Sequence, residues 1–299
     1  MKRLISVLLI LILVFALSSC GAFAKNKTLS IGVSETLGDG SITESVAAII
    51  TESDGTVSFC RLDSVTYIPE IDAYGTPIVT TPTPLSESSG NEYAQIKFFE
   101  NYLTGKTVAE ILAIELNSDG AFKDSTLYSS CQLYIKGYIE AIEKASKNYY
   151  KTSFRAHGID SCAVALTVEP EASKTEALTD FTLTGSFAAV AESDGKIAAA
   201  IIDANEVILT AEKNTDGSVR ITAKESKGTK LEQGESYGMD DYNPYAIGEW
   251  YEQAGAYVYD VVGIGVNGLE TELPEGAAGC TIYIGSYKSA LLEAASKLR

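Results

Sequence analysis

The stretch from residue 232 to residue 253 combines aromatic rings with carboxylates, which suits ligand binding. Its candidate contact residues are Tyr237, Met239, Tyr242, Tyr245, Trp250 and Tyr251. Aromatic walls stack on planar or sugar-like ligands, while carboxylates fix the orientation of the ligand. The stretch therefore predicts a ligand-binding cleft. The alternative is a loop whose aromatic side chains fasten a helix to a sheet.

Metal sites and catalytic centres are not indicated by the sequence. It contains a single histidine, which argues against a His-rich metal site and most Ser-His-Asp arrangements. Asp240, Asp241 and Asn243 offer oxygen atoms of the kind that calcium prefers, but their spacing is not that of a regular calcium loop. We expect no metal and no catalytic residues, and we favour a protein that is not an enzyme.

The charge balance of the chain is strongly acidic, with a formal net charge of −17. Nucleic-acid phosphates are bound by clustered lysine and arginine, so we expect no nucleic-acid partner. The same charge repels anionic lipid headgroups. Any attachment to a membrane therefore needs an anchor other than the charge of the folded part.

The N-terminal residues have the pattern of an export signal. Lys2 and Arg3 precede an apolar run that is short for a membrane span, which indicates a signal peptide over residues 1–19. Leu17-Ser18-Ser19-Cys20 resembles a bacterial lipobox, whose cysteine thiol receives a lipid. We expect lipidation, including palmitate, at Cys20 and a protein held on the extracytoplasmic face of the cell membrane. Ordinary cleavage after Ala24 is the alternative.

The remaining cysteines are Cys60, Cys131, Cys162 and Cys280. Their spacing is wide and irregular and includes no CxxC pair, which disfavours structural zinc. Buried free thiols are the favoured interpretation, and disulfides stay open as the alternative.

Two similar segments indicate an internal duplication. Residues 48–63, AIITESDGTVSFCRLD, and residues 188–203, AAVAESDGKIAAAIID, share an apolar run, a Glu-Ser-Asp-Gly turn, a second apolar run and a closing aspartate. This is the pattern of a β-hairpin with a short turn. We expect a tether over residues 20–30, a first domain over 31–150 and a second over 151–299.

Helical segments repeat in the same order as the hairpins. Tyr93, Gln95, Phe99 and Gly105 match Tyr251, Gln253, Tyr257 and Gly263, and a closing amphipathic helix follows Cys131 and Cys280 in turn. In the second copy the hairpin is followed by two further predicted strands, residues 207–212 and 218–223. The sequence predicts an α+β fold made of two tandem copies of an antiparallel β-meander packed with amphipathic helices.

Motifs of the second copy support a resemblance to a protein family. They are Gly195-Lys196-Ile197, Ile202-Asp203-Ala204, Tyr237-Gly238-Met239 and Glu249-Trp250-x-x-Gln253, and the first copy adds Gly105-Lys106-Thr107. They resemble uncharacterised exported tandem-repeat lipoproteins of Gram-positive, Clostridia-like bacteria. This resemblance implies export and a repeat architecture, without a particular activity.

A more distant similarity is to the repeats of surface lipoproteins that bind flavin mononucleotide in extracellular electron transfer. The Gly-Lys-Ile hairpin and the Tyr-Gly-Met loop carry this similarity. It implies FMN as a cofactor, although the chain lacks the Ser-Gly-Ala-Thr-like motif through which that family attaches its flavin. The sequence thus favours a non-catalytic binding or surface-interaction module with no cofactor and an unknown small molecule or surface partner. The alternative is a flavin-binding extracellular redox carrier.

Overall fold

The computed structural model describes residues 24–38, 40–72, 77–80, 84–85, 90–156, 158–171, 180–216 and 218–298. Its strands are β1 Lys25–Leu37, β2 Ile42–Glu52, β3 Val57–Ile71, β4 Pro77–Thr80, β5 Thr152–Ala156, β6 Ser161–Glu171, β7 Asp180–Ser193, β8 Lys196–Lys213 and β9 Val219–Thr229. Its α-helices are α1 Asn91–Leu103, α2 Val108–Leu112, α3 Ser125–Ser130, α4 Lys136–Lys147, α5 Lys230–Gln233, α6 Met239–Tyr242, α7 Trp250–Val261, α8 Leu269–Glu272 and α9 Gly285–Ser296. The predicted signal peptide and Cys20 lie outside the described residues.

The strands form two antiparallel sheets with the same connectivity. The first has the order β4-β3-β2-β1-β5 and the second the order β6-β7-β8-β9. Apart from β5, each sheet is a meander in which consecutive strands are neighbours, and helices follow each meander along the chain. The predicted α+β fold with two β-meander units is therefore confirmed.

The two predicted hairpins are present, as β2 with β3 and as β7 with β8, and each turn lies at the predicted Glu-Ser-Asp-Gly sequence. Both carry a β-bulge at the same point, where Ser58 of β3 and Ala198 of β8 are the extra residues opposite β2 and β7. In the second turn Asp194 has φ 54° and the following glycine has φ 73°. Positive φ at both central residues matches the right-handed twist of the flanking strands, and Asp-Gly is a sequence that tolerates it.

Equivalent backbone contacts tie the hairpin to the helix end in each unit. Val57 N donates to Lys106 O at 2.8 Å, and Val57 O accepts from Gly105 N at 2.8 Å. In the second unit, Ile197 N donates to Ile264 O at 2.9 Å, and Ile197 O accepts from Gly263 N at 2.8 Å. The two glycines have φ of 87° and 91°, the left-handed conformation that ends a helix. The two units thus share contacts as well as strand order.

Three segments differ from the prediction. Strand β1 begins at Lys25, inside the segment expected to be a tether. The strand expected at residues 207–212 is the second half of β8, which continues from the hairpin without a break. Strand β5 belongs to the range 151–299 but pairs with β1, with Thr152 opposite Leu29. The first sheet is therefore completed by residues that follow its helices.

A core shared by both sheets lies between them. Alternate residues of β2, among them Val46 and Ala48, join Val190 and Ile201 of the second sheet in one buried cluster. The other face of β2, with Ala47, packs with α1 and α4 in a separate cluster. Strand β2 is therefore buried on both faces, which explains its nearly continuous apolar sequence.

Helix α4 approaches β1 very closely at Gly32. A Cβ atom at this glycine would lie 2.1 Å from Ala141 O and 2.4 Å from Ala145 N, both on the helix backbone. In the second unit α9 packs on β6 and β7, and α7 packs on β8. The helices that follow each meander therefore lie directly on its strands.

Candidate functional site

The predicted site loop joins β9 to α7 and consists of short helical turns. Thr229 caps α5 through a reciprocal pair of hydrogen bonds with Glu232, and Glu249 caps α7 in the same way with Glu252. Gly238 adopts φ 67° between a 3-10 turn and α6. These local hydrogen bonds give the loop a defined backbone.

Trp250 is an internal packing residue. It is 2% exposed, and its ring lies 5.7 Å from the ring of Tyr287 on α9. Lys230 Nζ lies 5.6 Å from the Trp250 ring and 5.1 Å from the Tyr237 ring. Both aromatic residues therefore stack around one lysine, an arrangement that holds α5 against α7.

Met239 is held by the start of α7. Its backbone N donates to Glu249 Oε2 at 3.0 Å, and its Sδ lies 3.6 Å from Gln253 Nε2. Burial and a hydrogen bond with Asp240 raise the pKa of the Glu249 carboxyl above its usual range. Gln253 also donates to Gly248 O at 2.9 Å. The Tyr-Gly-Met segment is therefore braced against the helix that follows it.

Tyr251 faces the end of the first unit. Its ring lies 5.3 Å from the ring of Tyr149, whose backbone N donates to Leu231 O at 3.2 Å. Lys144 on α4 forms an ion pair of 3.1 Å with Glu232. The loop thus also connects the two units.

Among the loop residues whose side chains are described, Tyr245 and Ile247 are the large ones that face outward. Their exposed fractions are 84% and 59%. The side chain of Tyr242 lies outside the described residues. Of the other predicted residues, Trp250 is buried, while Tyr237, Met239 and Tyr251 are half-buried and pack against the core. The structure thus turns these four towards the protein and exposes Tyr245. The predicted residues therefore fall into two groups, those that hold the loop in place and those that the loop exposes to solvent.

Two grooves lie away from this loop, and sequence reasoning missed both. One, of about 520 Å³, runs between β5 and α7 past Phe154, Val258 and Tyr259, the last being 79% exposed. The other, of about 600 Å³, lies in the first unit beside Tyr102 and Lys106. A signal for the first was Tyr259 itself, an aromatic residue on the polar side of a helical pattern.

Two glycine-spaced segments have the spacing of familiar motifs, but their structural contexts differ from those motifs. Residues 234–238, GESYG, fit GxSxG, yet they form a 3-10 turn in which Ser236 Oγ donates to Gln233 O at 2.6 Å. A nucleophile elbow instead follows a strand. Residues 263–268, GIGVNG, fit GxGxxG but follow α7 and precede only the four-residue α8. A dinucleotide fingerprint follows a strand and opens a long helix.

The four cysteines in the described part of the chain are free thiols, so no disulfide joins them. Cys60, Cys131 and Cys162 are buried and Cys280 is half-buried. Burial raises the pKa of all four thiols, that of Cys162 to about 12, which keeps them protonated near neutral pH. Within the described ranges, histidine, cysteine and carboxylate side chains form no group of three that could hold a metal ion.

None of the helices in the described part combines the length and hydrophobicity that a membrane crossing requires. No protein-family model, no curated protein and no solved structure matches the chain.

Proposed function

We propose that the protein is a lipid-anchored, extracytoplasmic binding module that makes its contacts without catalysis. The lipobox-like residues before Cys20 support the anchor. Each buried methylene of a lipid chain contributes roughly 0.8 kcal/mol of membrane affinity, so more than one chain holds a protein stably on a membrane. The acidic balance of the chain makes such an anchor necessary for attachment to an anionic surface.

The observation that carries the binding proposal is the contrast within the second-unit loop. Tyr245 and Ile247 are exposed, while Trp250 and Gln253 beside them are buried and fix the backbone. A tyrosine on a fixed backbone offers large contact area at a small entropy cost on binding. The partner is a small molecule or a surface component with apolar or planar groups, and not a nucleic acid.

The test has two parts, one for the anchor and one for the contact. Metabolic labelling with palmitate is expected to mark the wild-type protein but not a Cys20→Ser variant, which is released from the membrane fraction. Purified protein is then applied to arrays of bacterial surface glycans and peptides. The double change Tyr245→Ala and Ile247→Ser is expected to weaken any wild-type signal at least about tenfold, equivalent to about 1.4 kcal/mol.

Tyr283→Ala is the matched control for the loop variant, because Tyr283 is also 84% exposed but lies outside the loop. Both variants keep their fold, since exposed side chains contribute little to stability. Equal binding by wild type and loop variant would contradict the contact surface. Palmitate on the Cys20→Ser variant would contradict the anchor.

The visible absorption spectrum of the purified protein distinguishes this proposal from the flavin carrier. We expect no flavin bands after purification from a flavin-replete host. Flavin bands that disappear from the protein fraction on denaturation would show non-covalent FMN and would replace the proposed function with redox transfer.

A further inference from the structure

A buried carboxylate lies at the contact between the two sheets. Glu44 is on β2, at the face that carries Ile42 and Val46, and its exposed fraction is 0%. Glu35 stands directly opposite it on β1. Like charges at directly opposed positions of an antiparallel pair destabilise the pair, and burial increases this cost. The position is therefore unfavourable for two ionised carboxylates.

Asn205 of β8 joins both carboxylates to the second sheet. Its Nδ2 donates to Glu44 Oε1 at 2.6 Å and also to Glu35 Oε1. Its Oδ1 accepts from Gly185 N on β7 at 3.1 Å. One amide thus links two strands of the first sheet to two strands of the second.

The surroundings of Glu44 favour a neutral carboxyl. Tyr67 on β3 donates its hydroxyl to Glu44 Oε1 at 2.8 Å, while Glu44 Oε2 is buried without a hydrogen-bond partner in the described structure. Among the described side chains, the titratable groups that face Glu44 are Glu35 from β1 and Tyr67 from β3; β7 and β8 contribute Gly185 and Asn205. None of these is a cation.

A proton on Oε2 removes the buried charge and leaves both hydrogen bonds at Oε1 in place. The pKa of Glu44 is raised to about 7 in total: burial raises it most and Glu35 also raises it, while the hydrogen bonds from Asn205 and Tyr67 lower it. Because the pKa is higher in the folded state, the stabilising effect of the proton is complete at acidic pH. It is lost progressively as the pH rises from the ordinary carboxyl pKa of 4.5 to about 7, above which both states are ionised.

We propose that Glu35, Glu44, Tyr67 and Asn205 form a proton-binding switch between the sheets. A proton on Glu44 holds the first sheet against the second, and loss of this proton loosens the contact. The switch depends on neither the lipid anchor nor the partner of the loop.

Hydrogen exchange of the purified full chain tests the switch. Exchange is followed by mass spectrometry from about pH 5.5 to about pH 8.5, and the opening constants of β2 and β8 are corrected for intrinsic exchange. In wild type these constants are expected to rise by up to about tenfold per pH unit between about pH 5.5 and about pH 7, and to level off above about pH 7. Glu44→Gln keeps the shape without the charge, so the rise is expected to disappear from β2, whereas β8 also carries the buried Asp203 and keeps part of its rise.

Further variants separate this carboxyl from others. Glu35→Gln removes the opposed charge and moves the pH at which opening levels off to a lower value, while Tyr67→Phe removes a donor to the carboxylate and moves it to a higher value. Asp203→Asn is the matched control, because burial also raises the pKa of Asp203 to about 7 although Asp203 contacts Leu231 N instead of this cluster. Any of three results would overturn the proposal. The wild-type opening constants could stay level between about pH 5.5 and about pH 7, or β2 of Glu44→Gln could keep the wild-type pH dependence. The third is that β2 of Asp203→Asn loses this pH dependence.

Discussion

Replacing Gln253 by alanine is expected to destabilise the second unit more than the equivalent change at Gln95 destabilises the first. Gln253 Oε1 accepts from Thr281 N at 2.7 Å and from Thr281 Oγ1 at 2.8 Å, and its Nε2 donates to Gly248 O at 2.9 Å. Gln95 Oε1 accepts from Gln132 N at 2.6 Å, the equivalent of the first of these bonds. Among the described residues, the glutamine of the second unit therefore makes more hydrogen bonds than that of the first.

The magnitude follows from the number of these bonds. A net hydrogen bond contributes about 1 kcal/mol, so Gln253→Ala is expected to lower the free energy of unfolding by about 3 kcal/mol and Gln95→Ala by about 1 kcal/mol.

Urea unfolding at 25 °C measures these differences, with the slope of the transition checked for each variant. Hydrogen exchange at the Thr281 amide gives a local readout of the same bond. Equal losses for Gln253→Ala and Gln95→Ala, or an unchanged Thr281 exchange rate, would show that the bonds to Gln253 do not hold the loop.

Two further predictions concern buried positions. Burial raises the pKa of Asp203 to about 7, so the contribution of its proton to stability is lost as the pH rises towards 7. Asp203→Asn should flatten the profile of stability against pH and remove a penalty of up to about 4 kcal/mol above pH 7. Urea unfolding at a series of pH values measures this profile. Gly32→Ala should lower stability by about 1–3 kcal/mol or more, because the new methyl group meets the backbone of α4, whereas Gly158→Ala, with open space around it, should change the melting temperature little. A flat wild-type pH profile, or equal melting temperatures for the two alanine variants, would contradict these expectations.

Much of the fold was predictable because the two copies repeat both turn chemistry and periodicity. The matched pairs Gln95 with Gln253 and Gly105 with Gly263 make the same contacts in the structure. The pairing of β5 with β1 was not predictable, since a strand as short as Thr152–Ala156 carries no sign of its partner. The continuous apolar run of β2 indicates burial on both faces but not what covers each face.

The candidate site was harder to predict because an aromatic residue can either pack in the core or be exposed for binding. Trp250, Gln253, Ala254 and Tyr257 follow helical spacing and are all buried, so periodicity alone could have assigned Trp250 to the core. Tyr245 lies in a turn where no periodicity applies. Glu44 shares one face of β2 with Ile42 and Val46, which indicates an inward position, yet its partner Asn205 lies too far along the chain to be inferred.

The core shared between the sheets also determines how the chain folds. Neither meander covers its inner face by itself, because the residues that cover it come from the other copy. A half expressed alone would present a broad apolar sheet to water and would be prone to aggregate. The two copies, although joined end to end, are therefore expected to unfold in one cooperative transition, as a single domain does.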